Sequence, residues 1–166
     1  MNDAKRTLTS PVVHIGLASR PEDLLAFRTL NEEWITRFFT LEEADRRQLG
    51  DPEGQILAPG GRIFVAHLDA RTVGCVALRP TGAGEFEVSK MAVSPEWRGL
   101  GIGRQLLTYT IEQARALGSS RLILGSSTKL ESAVKLYERV GFRHLPAERL
   151  PPLAYSRADV FMELNL

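Results

Sequence analysis

The sequence predicts an α/β fold in which helices flank a mixed, mostly antiparallel sheet, within a single domain spanning residues 1–166. Short segments with strand character alternate with segments of helical spacing along the chain. Two early strand segments are separated by only three residues, which is typical of an antiparallel hairpin. The 166 residues are 43% hydrophobic, enough for one core and too few for two comfortable domains.

In the amino-terminal half, Ser or Thr followed three residues later by Glu predicts two helix starts. These candidate capping boxes are Ser19 with Glu22 and Thr40 with Glu43. The predicted elements are a strand at Val12–Leu17, a helix from Pro21 to about Phe38, a short charged helix after Thr40, a Gly- and Pro-rich loop at Asp51–Gly61, and hairpin strands at Arg62–Leu68 and Thr72–Leu78.

In the carboxyl-terminal half, strands and helices alternate more regularly. Thr128 with Glu131 forms a third candidate capping box. Glycines are expected to end both helices of this half. The predicted elements are a loop at Pro80–Gly84, a strand at Glu85–Val93, a helix from Ile102 to Leu117, a buried strand at Arg121–Gly125, a helix up to Gly141, and strands near Phe142 and at Ala158–Leu164.

Composition argues against several classes of function. The formal charge is only +1 and no basic block is present, so nucleic acid is not an expected partner. Cys75 is the lone cysteine, predicted to be core, and His14, His67 and His144 lack metal-ligand spacing. Met1–Ser10 is polar and no apolar run approaches the ~20 residues of a membrane helix. We therefore expect a cytoplasmic protein with no metal and no membrane contact.

The densest chemical signal is the glycine-rich segment from Arg98 to Arg104, between a predicted strand and a predicted helix. Glycines let the backbone approach a ligand closely, and the first helical turn offers unpaired N–H groups to an anion. A tight turn that needs glycine only for its conformation is the alternative. Rossmann and Walker motifs do not fit, since Arg104 and Leu106 stand where a Rossmann glycine is needed.

Two ordered motifs resemble the GNAT superfamily of acetyl-CoA-dependent N-acetyltransferases. Arg98, Gly101 and Gly103 match its coenzyme-binding pattern Q/R-x-x-G-x-G/A. Downstream, Ala133–Phe142 resembles its second pattern, A-x-x-L-Y-x-x-x-G-F, at an ordinary separation. The resemblance, strongest over Glu85–Phe142, implies a GNAT-like fold and transfer of an acetyl group to a primary amine.

The resemblance implies that backbone amides of the glycine loop hold the pyrophosphate of acetyl-CoA, and that main-chain groups of the preceding strand follow its pantetheine arm. The side chains of Arg98 and Arg104 are either phosphate contacts or solvated. Leu130 replaces an Asn that many relatives use, leaving Ser126, Ser127 or Thr128 to substitute. The expected coenzyme-binding residues are Met91, Ala92, Val93, Arg98, Gly99, Leu100, Gly101, Ile102, Gly103, Arg104 and Tyr137.

Direct transfer also requires a base and an acid. An amine with pKa ~10.4 is mostly protonated near pH 7, so Glu87, at a position where relatives often carry a carboxylate, is the candidate base, directly or through water. Glu85 is the second candidate, and a solvent-facing strand residue is the plain alternative. Tyr137 is the candidate acid for the leaving thiolate, although packing alone would explain it. With Cys75 in the core, a ping-pong mechanism is not supported.

The identity of the acceptor is left open, as a small-molecule or peptide amine. The resemblance places the acceptor pocket at about Asn31–Phe39 and Leu145–Arg157. Trp34, Phe38 and Phe39 are candidates for an apolar wall, and Arg149 or Arg157 for holding a carboxylate; packing or solvated surface is the alternative for each. A non-catalytic acyl-CoA sensor or assembly subunit, transfer of a longer acyl chain, transfer to oxygen and a homodimer also stay open.

Overall fold

A computed structural model of the chain describes residues 12–146, 149 and 155–166. Within these residues, seven strands form one sheet in the order β1-β2-β3-β4-β5-β7-β6, and only the β4–β5 pair is parallel. The mixed, mostly antiparallel sheet confirms the predicted fold class. The predicted absence of a signal core at Met1–Ser10 lies outside the described residues. The strands are β1 His14–Leu17, β2 Arg62–Leu68, β3 Arg71–Gly82, β4 Glu85–Val93, β5 Arg121–Ser126, β6 Arg143–His144 and β7 Val160–Asn165.

Four α-helices and two short helical turns connect these strands in the described part of the chain. The α-helices are α1 Pro21–Phe38, α2 Glu43–Gly50, α3 Ile102–Ala116 and α4 Glu131–Val140. A π-helical turn spans Glu53–Leu57 and a 3₁₀ turn spans Pro95–Trp97. No described helix has both the length and the apolar character needed to cross a membrane.

Each face of the sheet carries its own hydrophobic core. Alternate residues of β2 point to opposite faces, so Ile63 joins one core while Phe64 joins the other. The core beneath α1 and α2 includes Phe27, Ile35, Ile63, Cys75 and Ala77. The core beneath α3 and α4 includes Phe64, Leu78, Leu106, Leu107, Leu122 and Met162. Cys75 is fully buried, as predicted.

The loop predicted at Asp51–Gly61 is wrong in part, because it contains the π-helical turn. Ile56 lies in that turn, is 1% exposed and packs into the core beneath α1 and α2. The Asp51 carboxylate accepts a hydrogen bond of 3.1 Å from the backbone N–H of Gly54. Ile56, Leu57 and Ala58 form a short apolar run among glycines and prolines, without a helical or strand period, so the sequence pattern could not reveal this turn.

The loop predicted at Pro80–Gly84 is also mostly strand. β3 continues to Gly82, with Pro80 opposite Phe86 of β4. The first residue of β2, Arg62, is opposite Leu78, so Pro80 of β3 lies beyond β2 and has no strand neighbour on the β2 side. Sheets tolerate proline at such a position. The turn falls at Gly84, whose φ of +70° favours glycine.

The starts of α1 and α2 are capped by buried carboxylates, so the predicted hydroxyl-based capping boxes there are wrong. Asp23 accepts hydrogen bonds from the backbone N–H groups of Ser19 and Arg20, at 3.1 and 3.2 Å. Asp45 accepts one from the N–H of Glu42 at 2.9 Å. Both carboxylates are fully buried and have partners elsewhere in the fold, so long-range contacts decided which residues cap.

Candidate active site

The main cleft opens where β4 and β5 separate. These parallel strands pair only from Glu85 to Glu87 on β4 and from Arg121 to Ile123 on β5. Beyond Glu87 the strands part, and residues 87–93 and 123–126 line a cleft of about 690 Å³. A groove along a strand edge without a strand neighbour offers unpaired main-chain groups to an extended ligand.

A β-bulge at Lys90 and Met91 sets which side chains of β4 face each side of the cleft. Ala77 is opposite Ser89 and Cys75 is opposite Ala92, so two residues of β4 oppose one of β3. Lys90 has a φ of +54° and its carbonyl accepts a hydrogen bond of 3.1 Å from the Asn31 side chain. Because the bulge shifts the alternation, Glu87 and Ser89 face α1, whereas Met91 and Val93 pack towards α3.

The glycine loop follows β4 through the 3₁₀ turn and leads directly into α3. Gly99 and Gly101 have φ values of +75° and +84°, and Gly101 precedes the first residue of α3. A Cβ on Gly99 would have no atom within 4 Å, whereas one on Gly103 would lie 3.6 Å from Leu136 of α4. The loop therefore needs glycine for its backbone conformation and also leaves an open approach to the helix start.

The two arginines of the loop are placed differently. The Arg98 guanidinium donates from Nε to the carbonyl of Val93 at 3.1 Å and from Nη2 to Glu33 at 2.5 Å. It therefore braces the loop against β4 and α1, and an expected phosphate contact by this side chain has to compete with these bonds. Arg104 is exposed in the first turn of α3. Of the predicted coenzyme residues, Met91, Ala92, Val93, Arg98 and Tyr137 line the cleft, while residues 99–104 do not.

Tyr137 is both a packed residue of the core and part of the cleft wall. Its ring packs edge-on against Phe142, with centroids 6.0 Å apart, in the core beneath α3 and α4. It also lines the cleft. Burial raises the pKa of Tyr137 to about 12, so the phenol stays protonated at neutral pH.

The two candidate bases lie in different surroundings. Glu87 lines the cleft, with Arg79 at 3.7 Å, and burial raises the pKa of its carboxyl despite the opposing charges of Arg79 and Lys90. Glu85 instead bonds Thr81 and forms an ion pair with Arg121, away from the residues that line the cleft. The geometry favours Glu87 as the carboxylate with access to a bound amine.

The loop between β5 and α4 is tied to the last strand. Asp159 accepts hydrogen bonds from the N–H and hydroxyl of Thr128, at 2.8 and 2.9 Å. The capping box predicted from Thr128 and Glu131 is therefore wrong, and α4 follows Leu130 directly. Thr128 is committed to Asp159, which leaves Ser126 and Ser127, both in the cleft wall, as the hydroxyls placed to replace the missing Asn.

The end of the cleft beside α1 is lined by aromatic and cationic side chains. Trp34, Phe38 and Phe39 all line it, as expected, together with Tyr155 and Arg157. Within the predicted segment Leu145–Arg157, positions 147–148 and 150–154 lie outside the described residues.

Arg149 does not reach this wall. It is exposed and pairs with Glu163 at 3.4 Å, and it is absent from the described lining of the cleft.

The ionic cluster behind this wall was not predicted from the sequence. Asp45, fully buried, accepts hydrogen bonds from Lys90 at 2.6 Å and from both Nη atoms of Arg157 at 2.7 and 2.8 Å. Burial alone would raise the pKa of Asp45, but the Arg157 hydrogen bonds and the Lys90 charge hold it at about 2. Lys90 also donates to the Tyr155 hydroxyl at 2.9 Å. A lysine inside a predicted strand was the only available signal.

Among residues 12–146, 149 and 155–166, no group of three or more His, Cys, Asp or Glu side chains is placed to hold a metal ion.

Comparison with known proteins identifies the family. A family model described as an acetyltransferase (GNAT) domain matches residues 59–144, more than half of the chain. The chain belongs to the GNAT acetyltransferases. An uncharacterized N-acetyltransferase of Schizosaccharomyces pombe is 31% identical over 159 residues, covering 89% of this chain and 95% of that protein. The GNAT resemblance of the sequence is thereby confirmed, and the chain is an acyltransferase.

Two further proteins are similar to this chain, one in sequence and one in fold. Human N-acetylaspartate synthetase is 34% identical over 144 residues, covering 84% of this chain but only 47% of the human protein. A GNAT-family acetyltransferase of Staphylococcus aureus shares the fold with a TM-score of 0.80, at 23% identity, over 93% of this chain and 99% of that one. Since GNAT acetyltransferases take their acetyl group from acetyl-CoA, acetyl-CoA is the expected cosubstrate.

Proposed function

We propose that this GNAT enzyme transfers the acetyl group of acetyl-CoA directly to a primary amine of a small molecule or peptide, with Glu87 as the general base and Tyr137 as the general acid. The observation that carries the proposal is that both side chains line one cleft from opposite faces of the sheet. The cleft that both line opens where β4 and β5 part, which is where a coenzyme arm entering between the strands would bring its thioester.

The glycine loop supplies the coenzyme's anionic end with backbone donors. The N–H groups at the start of α3 have no partners within the helix and lie at the positive end of its dipole. A pyrophosphate there gains hydrogen bonds without a cationic side chain, which fits the commitment of Arg98 to Glu33. The pantetheine arm then follows the main chain of Met91 and Val93 into the cleft.

Glu87 is suited to receive a proton because it is a desolvated carboxylate. A raised pKa makes the carboxylate a stronger base, so its proton affinity approaches that needed near neutral pH. The acceptor amine gives up its proton to Glu87, directly or through a water, and its lone pair attacks the thioester carbonyl. Glu87 is 26% exposed, which lets the proton leave to solvent after transfer.

Tyr137 is suited to assist departure of the coenzyme sulfur. A thiol of ordinary pKa near 8.5 is a stronger acid than a phenol of pKa about 12, so complete proton transfer is uphill unless the thiolate is also desolvated. The apolar surroundings of Tyr137 would destabilise a bare thiolate in the same way and raise its proton affinity. The hydroxyl therefore donates a hydrogen bond to the sulfur as the C–S bond breaks and passes its proton to the desolvated thiolate, so that the coenzyme leaves as a neutral thiol.

The test is release of the coenzyme thiol from acetyl-CoA with a panel of primary amines. We expect amine-dependent thiol release and an acetylated amine in equal amounts. Acetyl-CoA should also raise the melting temperature by mass action, and NAD and ATP should do much less. Stabilisation by acetyl-CoA without turnover of any amine would contradict the proposal and favour a non-catalytic acyl-CoA sensor.

A further inference from the structure

Arg157 uses only part of its hydrogen-bonding capacity within the protein. Its Nη1 and Nη2 atoms donate hydrogen bonds to the Asp45 carboxylate, and Nη1 also donates one of 3.3 Å to Glu42. A guanidinium has five N–H groups in a rigid plane. The Nε–H and the second hydrogen of Nη2 lie along the remaining edge, and no described residue accepts a hydrogen bond from Nε. Two parallel N–H groups on one edge match a carboxylate.

The guanidinium is also held rigidly in the cleft wall. It stacks over the Tyr155 ring at 4.3 Å and lies 5.8 and 5.9 Å from the rings of Trp34 and Phe39. Arg157 and all three aromatic residues line the cleft, and the Arg157 side chain is only 11% exposed. A cation fixed between rings and shielded from water binds an anion with little loss of side-chain entropy and little competition from solvent.

The charges of the cluster are arranged with the cations towards the cleft. Lys90 and Arg157 line the cleft, whereas Asp45, the anion that pairs with both, does not. Arg37 also lines the cleft, but it is exposed and lies over the Phe38 ring at 5.3 Å, so its charge is screened by water. The partly exposed Glu42 carboxylate lines a neighbouring depression, not this cleft. The acceptor end therefore presents positive charge to a ligand even though the buried cluster is nearly neutral in sum.

Resting on the proposed function, we infer that the acceptor is an amine that also carries a carboxylate, an amino acid in its simplest form, and that Arg157 binds this carboxylate through Nε and Nη2. Glu87 stands in the same cleft to receive the amine proton. Arg149, the other arginine considered for this role, is paired with Glu163 outside the cleft lining. Arg157 is thus assigned as the residue that selects the acceptor.

The test compares matched acceptors in the intact enzyme. Each amino acid in a panel is assayed with acetyl-CoA beside its own carboxamide, which keeps the amine and side chain but removes the negative charge. Loss of a charge-assisted, two-point hydrogen bond should lower kcat/KM about 10- to 100-fold for the carboxamide. The KM for acetyl-CoA should be the same within each pair. Turnover with equal kcat/KM for both members would overturn the inference and leave the acetyltransferase proposal intact.

Variants then locate the preference. Arg157→Lys keeps a positive charge but removes the planar edge, so the carboxylate-to-carboxamide ratio should fall to within about threefold of unity. The ratio is taken within one protein, so a loss of folded enzyme cancels. Arg37→Gln removes an exposed cleft charge and should leave the ratio within about threefold of wild type. A ratio that survives Arg157→Lys, or collapses in Arg37→Gln, would overturn the assignment to Arg157. No turnover with either class of acceptor would overturn the proposed function itself.

Discussion

The two sides of the cleft are built by different means. On the proposed coenzyme side, β4 leads into the glycine loop and α4 follows after α3 and β5. β4 and α4 present backbone groups, apolar side chains and one phenol to the cleft. On the acceptor side, Asp45, Lys90 and Arg157 come from α2, the bulge of β4 and the segment before β7, joined by buried ion pairs. The coenzyme side is built from short sequence motifs, whereas the charged residues of the acceptor side are distant in sequence and come together only in the folded chain.

This difference explains why members of one family can share a donor and differ in acceptor. A backbone loop tolerates changes in neighbouring side chains, since its hydrogen bonds come from main-chain N–H groups. The acceptor wall depends on three charged side chains separated by 45 and 112 positions in sequence. Removing Asp45 leaves Lys90 and Arg157 without their shared buried partner, which is costly. Single substitutions should therefore separate the two sides cleanly.

The largest effect is expected from Gly101→Glu, which should abolish binding of acetyl-CoA. The new side chain places a negative charge where the pyrophosphate approaches the start of α3, and the φ of +84° is unfavourable for it. Binding is measured by calorimetry and by the melting-temperature shift with acetyl-CoA.

Two alanine variants separate strain from ligand contact in that experiment. Gly101→Ala and Gly118→Ala lie at opposite ends of α3 with similar φ values of +84° and +80°, so each should lose about 1–2 kcal/mol of stability. Only the Gly101 variants should weaken the coenzyme complex. Normal affinity in a folded Gly101→Glu protein would show that the loop is merely a turn.

The next effect concerns chemistry on the coenzyme side. Tyr137→Phe keeps the ring that packs on Phe142 but removes its only donor proton, so turnover should fall about 10²- to 10⁴-fold with little change in coenzyme affinity. Tyr109→Phe is the matched control, since Tyr109 also packs edge-on, against Phe64, away from the cleft lining. Unimpaired turnover in a folded Tyr137→Phe protein would remove the hydroxyl from the mechanism.

A smaller loss, about 10²-fold, is expected for Glu87→Gln, because water can partly replace a base that is 26% exposed. Turnover of the wild-type enzyme should rise with pH as Glu87 loses its proton, at a higher pH than an ordinary glutamate does. This rise of turnover with pH, the acidic limb of the profile, should be absent in Glu87→Gln. The raised pKa also means that ionised Glu87 destabilises the fold at neutral pH, so the variant should not melt lower.

Glu85→Gln serves as its control because Glu85 pairs with Arg121 outside the cleft. Its pH profile should match wild type. If the acidic limb disappears in Glu85→Gln and persists in Glu87→Gln, the base has been assigned to the wrong carboxylate.

The same contrast divides what the sequence could and could not predict. The order of strands and helices follows from local patterns, and the structure keeps it. The functions of the glycine loop and Tyr137 were inferred through the resemblance to the GNAT family and stay predictions. The predicted capping boxes of α1 and α2 were wrong because Asp23 and Asp45 cap these helices instead. Both carboxylates are held by hydrogen bonds to residues far away in the sequence. The Lys90 bulge was missed because its cause is tertiary: Asn31 binds the Lys90 carbonyl and Asp45 binds the Lys90 ammonium. Helical and strand periods carry no record of such contacts.

The smallest expected effect is a pH dependence of stability that comes from the acceptor side. Asp45 has its pKa lowered from 3.8 to about 2, so its ionised form is favoured by the fold. The linked stability, about 2 kcal/mol, is fully present above pH 4 and is lost as the pH falls through about 2. Denaturant unfolding of wild type should show this loss between pH 4 and pH 2.

Asp45→Asn tests whether that loss belongs to the ionic cluster. The variant should be less stable at neutral pH, because Lys90 and Arg157 keep their charges without their partner, and breaking a buried pair typically costs 3–5 kcal/mol. Its deficit relative to wild type should shrink by about 2 kcal/mol on acidification to pH 2, since wild-type Asp45 is then being protonated. A deficit in Asp45→Asn that does not change with pH would show that Asp45 contributes through packing, and that the cations of the acceptor wall do not depend on its charge.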